Sequence, residues 1–197
     1  MPLNTSIIKE IIILIMGPVF QVLAYFILLK IMPDQIESIK LYHYSILIFN
    51  LLPVYPLDGG KLVNLFFSLK FSFKNSFYLE IFISYLMVFL LIIVNRENIN
   101  INLVIIVIFL LYKITKEYKQ IELFYNKFLL ERYINKYNFK HSIIINNINK
   151  FHRNKRHLLK TSNKYYLEEE ILKKIYKNRW HIKICYAIIL LLTEIIG

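Results

Sequence analysis

One cysteine, Cys185, is all the sequence holds, so no disulfide framework can form within the chain. Glycine and proline are scarce, at four and five residues. That scarcity argues against a loop-rich fold and makes each occurrence worth locating. Acidic side chains are also few: 13 Asp and Glu stand against 25 Lys and Arg, a net charge of +12. What the chain does have is apolar surface. Hydrophobic residues make up 57% of its 197 positions, more than a soluble domain of this size normally carries. The length fits one domain plus a tail.

The positive charge is concentrated. From Lys113 onward there are 18 Lys and Arg against 7 Asp and Glu, whereas the residues before it carry 7 against 6. A basic tail beside apolar spans points to the cytoplasmic side of a membrane, where it can also rest on anionic lipid. Nucleic-acid binding is the weaker reading of the same charge, and no nucleic-acid partner is expected. The joint richness in Ile, Lys, Asn and Tyr is also what biased nucleotide composition produces, so part of the lysine excess need carry no function.

Four apolar runs precede Lys113. Ile11 to Leu29 is interrupted only by Gly17, Pro18 and Gln21 and has the length of a bilayer core. Lys9 and Glu10 make a weak basic end, and no small-residue cleavage site follows, so this run reads as a span rather than a signal peptide. Residues 32–38 form a polar connection. Leu41 to Val54 continues through Pro56-Leu57-Asp58-Gly59-Gly60 into Leu62 to Leu69, a candidate broken span. Phe77 to Val94, with Glu80 near its start, and Ile101 to Ile114 complete the set. Lys61, Lys70 and Lys74 fall between spans two and three, and the basic tail follows span four. The positive-inside bias then places the N-terminus and the tail in the cytoplasm. The expected fold is an all-α polytopic membrane bundle of about four spans over residues 1–114, with a small, basic, partly helical cytoplasmic tail over 115–197. Within the tail, Glu117 to Asn135 has helical spacing, Ser142 to Ile148 is a strand candidate, and Glu168 to Lys177 reads as an amphipathic helix. Ile182 to Ile196 reads as a packed or interfacial helix.

The stretch most able to carry chemistry is Asn50-Leu51-Leu52-Pro53-Val54-Tyr55-Pro56-Leu57-Asp58-Gly59-Gly60. Pro53 and Pro56 each remove a backbone donor and break a helix. Gly59 and Gly60 permit positive φ. Asp58 is ionisable within apolar surroundings, where a bare carboxylate costs on the order of 3 kcal/mol, so it must pair, bind a cation or meet water. Irregular backbone at membrane depth is tolerated inside protein or along a wet cavity. The same string is equally compatible with a plain turn at which span two ends.

The pattern Asn50-x-x-Pro53-x-x-Pro56-x-Asp58-Gly59-Gly60 resembles the second signature of the site-2 protease family of intramembrane zinc metallopeptidases, and in particular its sporulation branch. Ser45 to Pro53, Phe128-Leu129-Leu130-Glu131-Arg132-Tyr133 and the basic stretch Phe151 to His157 extend the resemblance, which covers roughly Ile7 to Glu170. Gly17-Pro18 matches a glycine-proline pair that the family places one span earlier. The resemblance implies that Asp58 is the third ligand of a Zn2+ ion. It also implies that Asn50, Pro53 and Pro56 shape the site where substrate is held extended. In the family the other ligands and the general base come from a His-Glu-x-x-His helix on an earlier span, whose i, i+4 spacing puts both histidines on one face.

That motif is absent here. None of His43, His141, His152, His157 and His181 precedes a glutamate. His43 precedes Asp58 by 15 residues, about 22 Å along a helix, so the two would not share a metal. Each histidine reads as a surface or lipid-facing residue rather than a ligand, and a catalytic zinc needs about three protein ligands. No general base is identifiable. The chain therefore resembles the second half of such a protease, which points to a late-assigned start or a split or decayed gene, or to a non-catalytic relative. The expected function is an intramembrane zinc metalloendopeptidase, incomplete as given. It would act on a membrane-associated protein such as a sporulation sigma-factor precursor, with membrane lipids as its other partner. The alternative is a non-catalytic membrane scaffold or regulator. A transporter reading is weaker, because it needs two broken segments in paired halves and only one is found.

Overall fold

The computed structural model describes residues 4, 6–97, 100–135, 137, 139, 141–161 and 164–177. The apolar segment 182–196, His181 and Cys185 lie outside them. The first run forms α1, Ile7–Ile31, which carries Pro18 in its interior. A 3-10 turn at Pro33–Gln35 leads into α2, Ile36–Leu51. The chain then breaks over residues 52–57 and restarts as α3, Asp58–Lys70. After Phe71 and Ser72 it continues as α4, Phe73–Val94, and then α5, Ile101–Asn135.

Among the described residues, α1 and α4 are the two helices long and apolar enough to cross a bilayer. The other two expected spans have a different form. The second is divided into α2 and α3, neither of which is long enough to span alone, and the fourth is the first part of a longer, more polar helix. Large side chains such as Phe20, Phe26, Phe82 and Phe89 are exposed on the helix surfaces, the arrangement of a protein solvated by lipid rather than water. We therefore describe the chain as a membrane protein.

α5 does not end where the apolar run ends. It runs for 35 residues, straight through residue 114, and its buried positions Val107, Leu110, Ile114, Glu117, Ile121, Tyr125, Phe128, Leu129 and Arg132 form one stripe. Two apolar clusters share this helix. Val54, Ile81, Val88, Val107, Leu110, Ile114 and Ile121 pack within the bundle. Phe73, Tyr125, Phe128, Leu129, Ile145, Phe151, Leu172 and Tyr176 form the core of the tail, with the Phe73 and Phe128 rings stacked at 4.3 Å.

The tail corrects the all-α expectation. It contains a three-stranded sheet, β1 Ser142–Ile145, β2 Arg156–Thr161 and β3 Lys164–Leu167, in that order. β1 and β2 pair in parallel with Ile143 opposite His157, and β2 and β3 antiparallel with Leu159 opposite Tyr166. β1 was legible in its β-branched run. β2 and β3 were hidden because Arg, Lys and Tyr occupy outward positions and blur the alternation that marks a half-buried strand. The amphipathic helix appears as expected, as α6, Glu168–Lys177.

Candidate functional site

The break between α2 and α3 is a compact structure, not a slack loop. Leu52 N–H donates to Phe49 O at 3.2 Å, Val54 N–H to Leu52 O at 2.7 Å, and Leu57 N–H to Val54 O at 2.8 Å. The Tyr55–Pro56 peptide within this turn is cis. Val54 anchors the turn in the bundle core. Tyr55 N–H donates to Ser84 Oγ at 2.9 Å, and that hydroxyl donates onward to Glu80 O at 2.8 Å. Asn50 ends up in the last turn of α2, with Pro53 and Pro56 on either side of Val54, all three half-buried.

The two glycines after Asp58 serve close approach rather than positive φ, which none of the described glycines adopts. A Cβ on Gly59 would lie 2.2 Å from Leu51 O and 2.4 Å from Leu52 O. One on Gly60 would lie 2.6 Å from the Val54 carbonyl carbon. The start of α3 is thus pressed against the backbone that ends α2, and only hydrogen fits between them.

This packing fixes Asp58 as the first residue of α3, where a carboxylate is favoured by the exposed amides of the helix N-terminus. Its side chain is 32% exposed and lies 3.6 Å from Lys61 Nζ. Gly17 of α1 faces it: a Cβ there would sit 3.6 Å from Asp58 Oδ2. The glycine of the Gly17-Pro18 pair and the aspartate, 41 residues apart in sequence, are therefore brought together. Gly17 also lies seven residues into the helix from Glu10, a rise of about 10 Å, so Asp58 is recessed from the tail end of the bundle.

Lys61, the ion-pair partner of Asp58, also lines a cavity of about 430 Å³ whose walls include Leu14, Tyr55, Asn64, Phe77, Glu80 and Glu117. Glu80 and Glu117 are buried, at 2% and 6% exposure. Glu80 Oε2 accepts from Asn64 Nδ2 at 2.7 Å, and Ser68 Oγ donates to Asn64 Oδ1 at 3.4 Å. Glu117 lies beside the Tyr55 hydroxyl. Apart from Tyr55, which lies within the Asn50 to Gly60 stretch, none of these residues was singled out from the sequence as part of a site. Glu80 carried a usable signal, an ionisable group inside an apolar run. Glu117 did not, because it lies in a stretch already rich in polar residues, and Asn64 gave only the weaker signal of an uncharged amide in the apolar run Leu62 to Leu69.

The donor set around Asp58 does not fit a catalytic zinc. Among the described residues, no three His, Cys, Asp or Glu side chains gather where a metal could be held. His43 is occupied on α2 by stacking on Tyr25 of α1 at 4.2 Å. His141 is exposed. His157 corrects the expectation of a surface histidine, being fully buried in β2. It accepts the His152 backbone N–H at Nε2 (2.8 Å) and faces Glu168 Oε2 from Nδ1 (3.0 Å). Its contacts are thus structural. The Nε2 acceptor role leaves Nδ1 as the protonated nitrogen and the ring neutral.

These contacts predict acid sensitivity in the tail. Burial pulls the His157 imidazole below its ordinary 6.5, and burial with the nearby Lys155 charge takes His152 to about 4. Burial alone would push Glu168 up, but the His157 hydrogen bond and the Arg132 charge outweigh it and hold the carboxyl below its ordinary value. Histidines with lowered pKa bind fewer protons folded than unfolded, so stability falls as pH drops below 6.5 toward 4. A carboxylate with lowered pKa loses its contribution over the lower part of the same descent. Limited proteolysis of the detergent-solubilised chain should show the tail opening between pH 6.5 and 4. Equal resistance at pH 7 and pH 4.5 would refute this.

A proline-bent break between apolar helices, an aspartate at its end and a glycine of α1 set against that aspartate describe a helical membrane protein with a carboxylate site between its helices. No protein-family model matches the chain. It is 36% identical over 102 residues to Stage IV sporulation protein FB of Bacillus subtilis (strain 168), a stretch that covers 51% of this chain and 35% of that protein. The chain thus matches about a third of the length of this curated relative, and the similarity supports a relationship to the site-2 proteases.

Proposed function

We propose that the chain contributes the aspartate-bearing part of an intramembrane metalloendopeptidase of the site-2 type. The observation that carries this reading is the Asp58 site: a half-buried carboxylate at the head of α3, facing Gly17 and paired with Lys61, which lines a cavity that also holds the buried Glu80 and Glu117. Asp58 is the candidate zinc ligand, and the remaining ligands and the general base would come from residues outside those described. Asn50, Pro53 and Pro56 shape the break along which an extended substrate segment would lie. The substrate class is a membrane-associated protein, with a sporulation sigma-factor precursor as the instance that the family resemblance implies. Four crossings, with both ends of the chain cytoplasmic, complete the proposal. It is supported by the contact between Glu10 near the start of α1 and Arg153 of the basic tail, which places those two regions at one end of the bundle.

The test is to read the DNA upstream of Met1, purify the product of the native locus, and measure its zinc before and after a chelator wash. The proposal expects a His-Glu-x-x-His upstream, zinc retained through the wash, and loss of that zinc in Asp58→Asn with the protein still folded. A second reading, a non-catalytic membrane scaffold or regulator, is favoured by the lack of a three-donor cluster among the described residues. Unrelated upstream sequence and a zinc-free native product would decide for it.

A further inference from the structure

α1 packs on α2 and α3 with little burial, tied to α2 by Gln21 Nε2 donating to His43 O at 3.1 Å and by the Tyr25–His43 stack. Ile7 is its one buried position, and the remainder of the helix is half-buried or exposed. Yet this helix supplies Gly17 to the Asp58 site, and Ile13 and Leu14 to the wall of the cavity. Glu10, Leu14 and Gly17 follow one another at spacings of four and three, which places them along one face. At the tail end of that face, Glu10 is ion-paired with Arg153. The pair is largely out of solvent, with side-chain exposures of 16% and 5%, and both residues border the cavity.

Arg153 is presented by a rigid frame. The segment that carries it, residues 151–155, is fixed from three directions. Phe73 N–H, at the start of α4, donates to Phe151 O at 2.8 Å. Arg132 of α5 donates to His152 O and to Lys155 O, each at 2.6 Å. His157 Nε2 accepts the His152 N–H, and the Phe151 ring, fully buried, stacks on the His157 ring at 4.3 Å. A side chain held in this way can fix the axial position of a loosely packed helix.

We infer that Arg153 is a positioning residue: through Glu10 it holds α1 in the register that keeps Gly17 against Asp58 and closes the cavity wall, so that the tail sets the geometry of the Asp58 site. The link to catalysis rests on the protease reading above, but the mechanical claim does not. Removing either partner of a mostly buried pair takes a countercharge from the other, and the contacts that tie α1 to α2, Gln21 with His43 and Tyr25 with His43, lie beyond Gly17, which leaves the Glu10 end of the helix the part most able to shift.

The test uses the full chain in membranes, with Cys185→Ser to remove the native thiol and Leu14→Cys as reporter, labelled by a small membrane-impermeant maleimide. Arg153→Glu and Glu10→Arg should each raise the labelling rate about tenfold, and combining them should bring it back near the parent, the coupling expected of contacting residues. A second reporter, Phe89→Cys on the lipid-exposed part of α4, should label equally in all four backgrounds. If the reversals fail to accumulate, Glu10→Gln and Arg153→Gln take their place, and the double variant should then be no more open than either single one. Unchanged labelling in the single variants overturns the inference, as does a double reversal as open as its parts combined. Labelling needs neither zinc nor peptide cleavage, so a metal-free, inactive protein can still uphold the clamp, and an active one can still refute it.

Discussion

Alanine at Gly59 should prevent the chain from accumulating in folded form, with a destabilisation of at least about 3 kcal/mol, the upper part of the range for overpacked interiors. The added methyl would meet Leu51 O at 2.2 Å and Leu52 O at 2.4 Å. Both are backbone atoms, so no rotamer change relieves the clash, and the segment that would have to move is tied to α4 through Tyr55, Ser84 and Glu80. Gly60→Ala should behave similarly, with contacts at 2.6 and 2.7 Å on Val54 and Tyr55 backbone atoms. Gly17→Ala is the informative contrast. Its methyl would rest 3.6 Å from a carboxylate oxygen, an ordinary contact, so the fold should survive while the space around Asp58 shrinks. Size-exclusion profiles of detergent-solubilised fluorescent fusions distinguish these outcomes. A monodisperse Gly59→Ala protein would show that the close packing of α3 on α2 is wrong.

Replacing Arg132 with methionine should unfold the tail, at a cost of about 4 kcal/mol, the middle of the range for breaking one partner out of a buried ion pair. The Arg132 side chain is fully buried, with Nε 2.9 Å from Glu168 Oε1. The same guanidinium holds the carbonyls of His152 and Lys155 and lies over the Phe128, Phe139 and Phe151 rings. Methionine fills the volume but takes the countercharge from Glu168, which keeps only its His157 contacts, and leaves two carbonyls without their donor, so the desolvation of those groups is felt. Arg132→Lys should also fail in large part, because an ammonium cannot reproduce the planar fork. Arg96→Met provides the control. Its 3.7 Å pair with Glu97 is exposed on both sides, and such pairs contribute little. Thermal unfolding followed with protease cutting in the tail would read the difference, and equal stability of the Arg132 and Arg96 variants would remove the proposed keystone.

Much of the helical part was legible because apolar runs of bilayer length leave few alternatives. α1 and α4 appear within a few residues of the runs at Ile11 to Leu29 and Phe77 to Val94. α6 was legible from its amphipathic spacing. The role of Gly59 and Gly60 was misread: their spacing after Asp58 suggested a turn with positive φ, whereas the constraint is a helix-on-backbone contact set by residues 51–55. A single sequence shows which residues are small but not what presses against them. His157 was misread for a related reason, since its neighbours Arg153, Lys155 and Arg156 suggested a solvated stretch. The buried Arg132–Glu168 pair that makes its setting possible joins residues 36 apart. The family resemblance marked Gly17 as part of a glycine-proline pair, but its meeting with Asp58 was not legible, because the two lie 41 residues apart on separate helices. The Glu80–Asn64 contact joins two helices and the Tyr55–Glu117 contact joins the break to α5, and neither pairing had a local pattern.

The uninterrupted α5 has a mechanical consequence. A single rod of about 50 Å carries Ile114 and Ile121 in one apolar cluster and Tyr125 and Phe128 in the other. Between Ile121 and Tyr125 there is one helical turn and no hinge. Any torque on the tail end is therefore delivered to the bundle end as rotation of the same cylinder. A cut at residue 114 would not release two modules; it would strip each of part of its own interior.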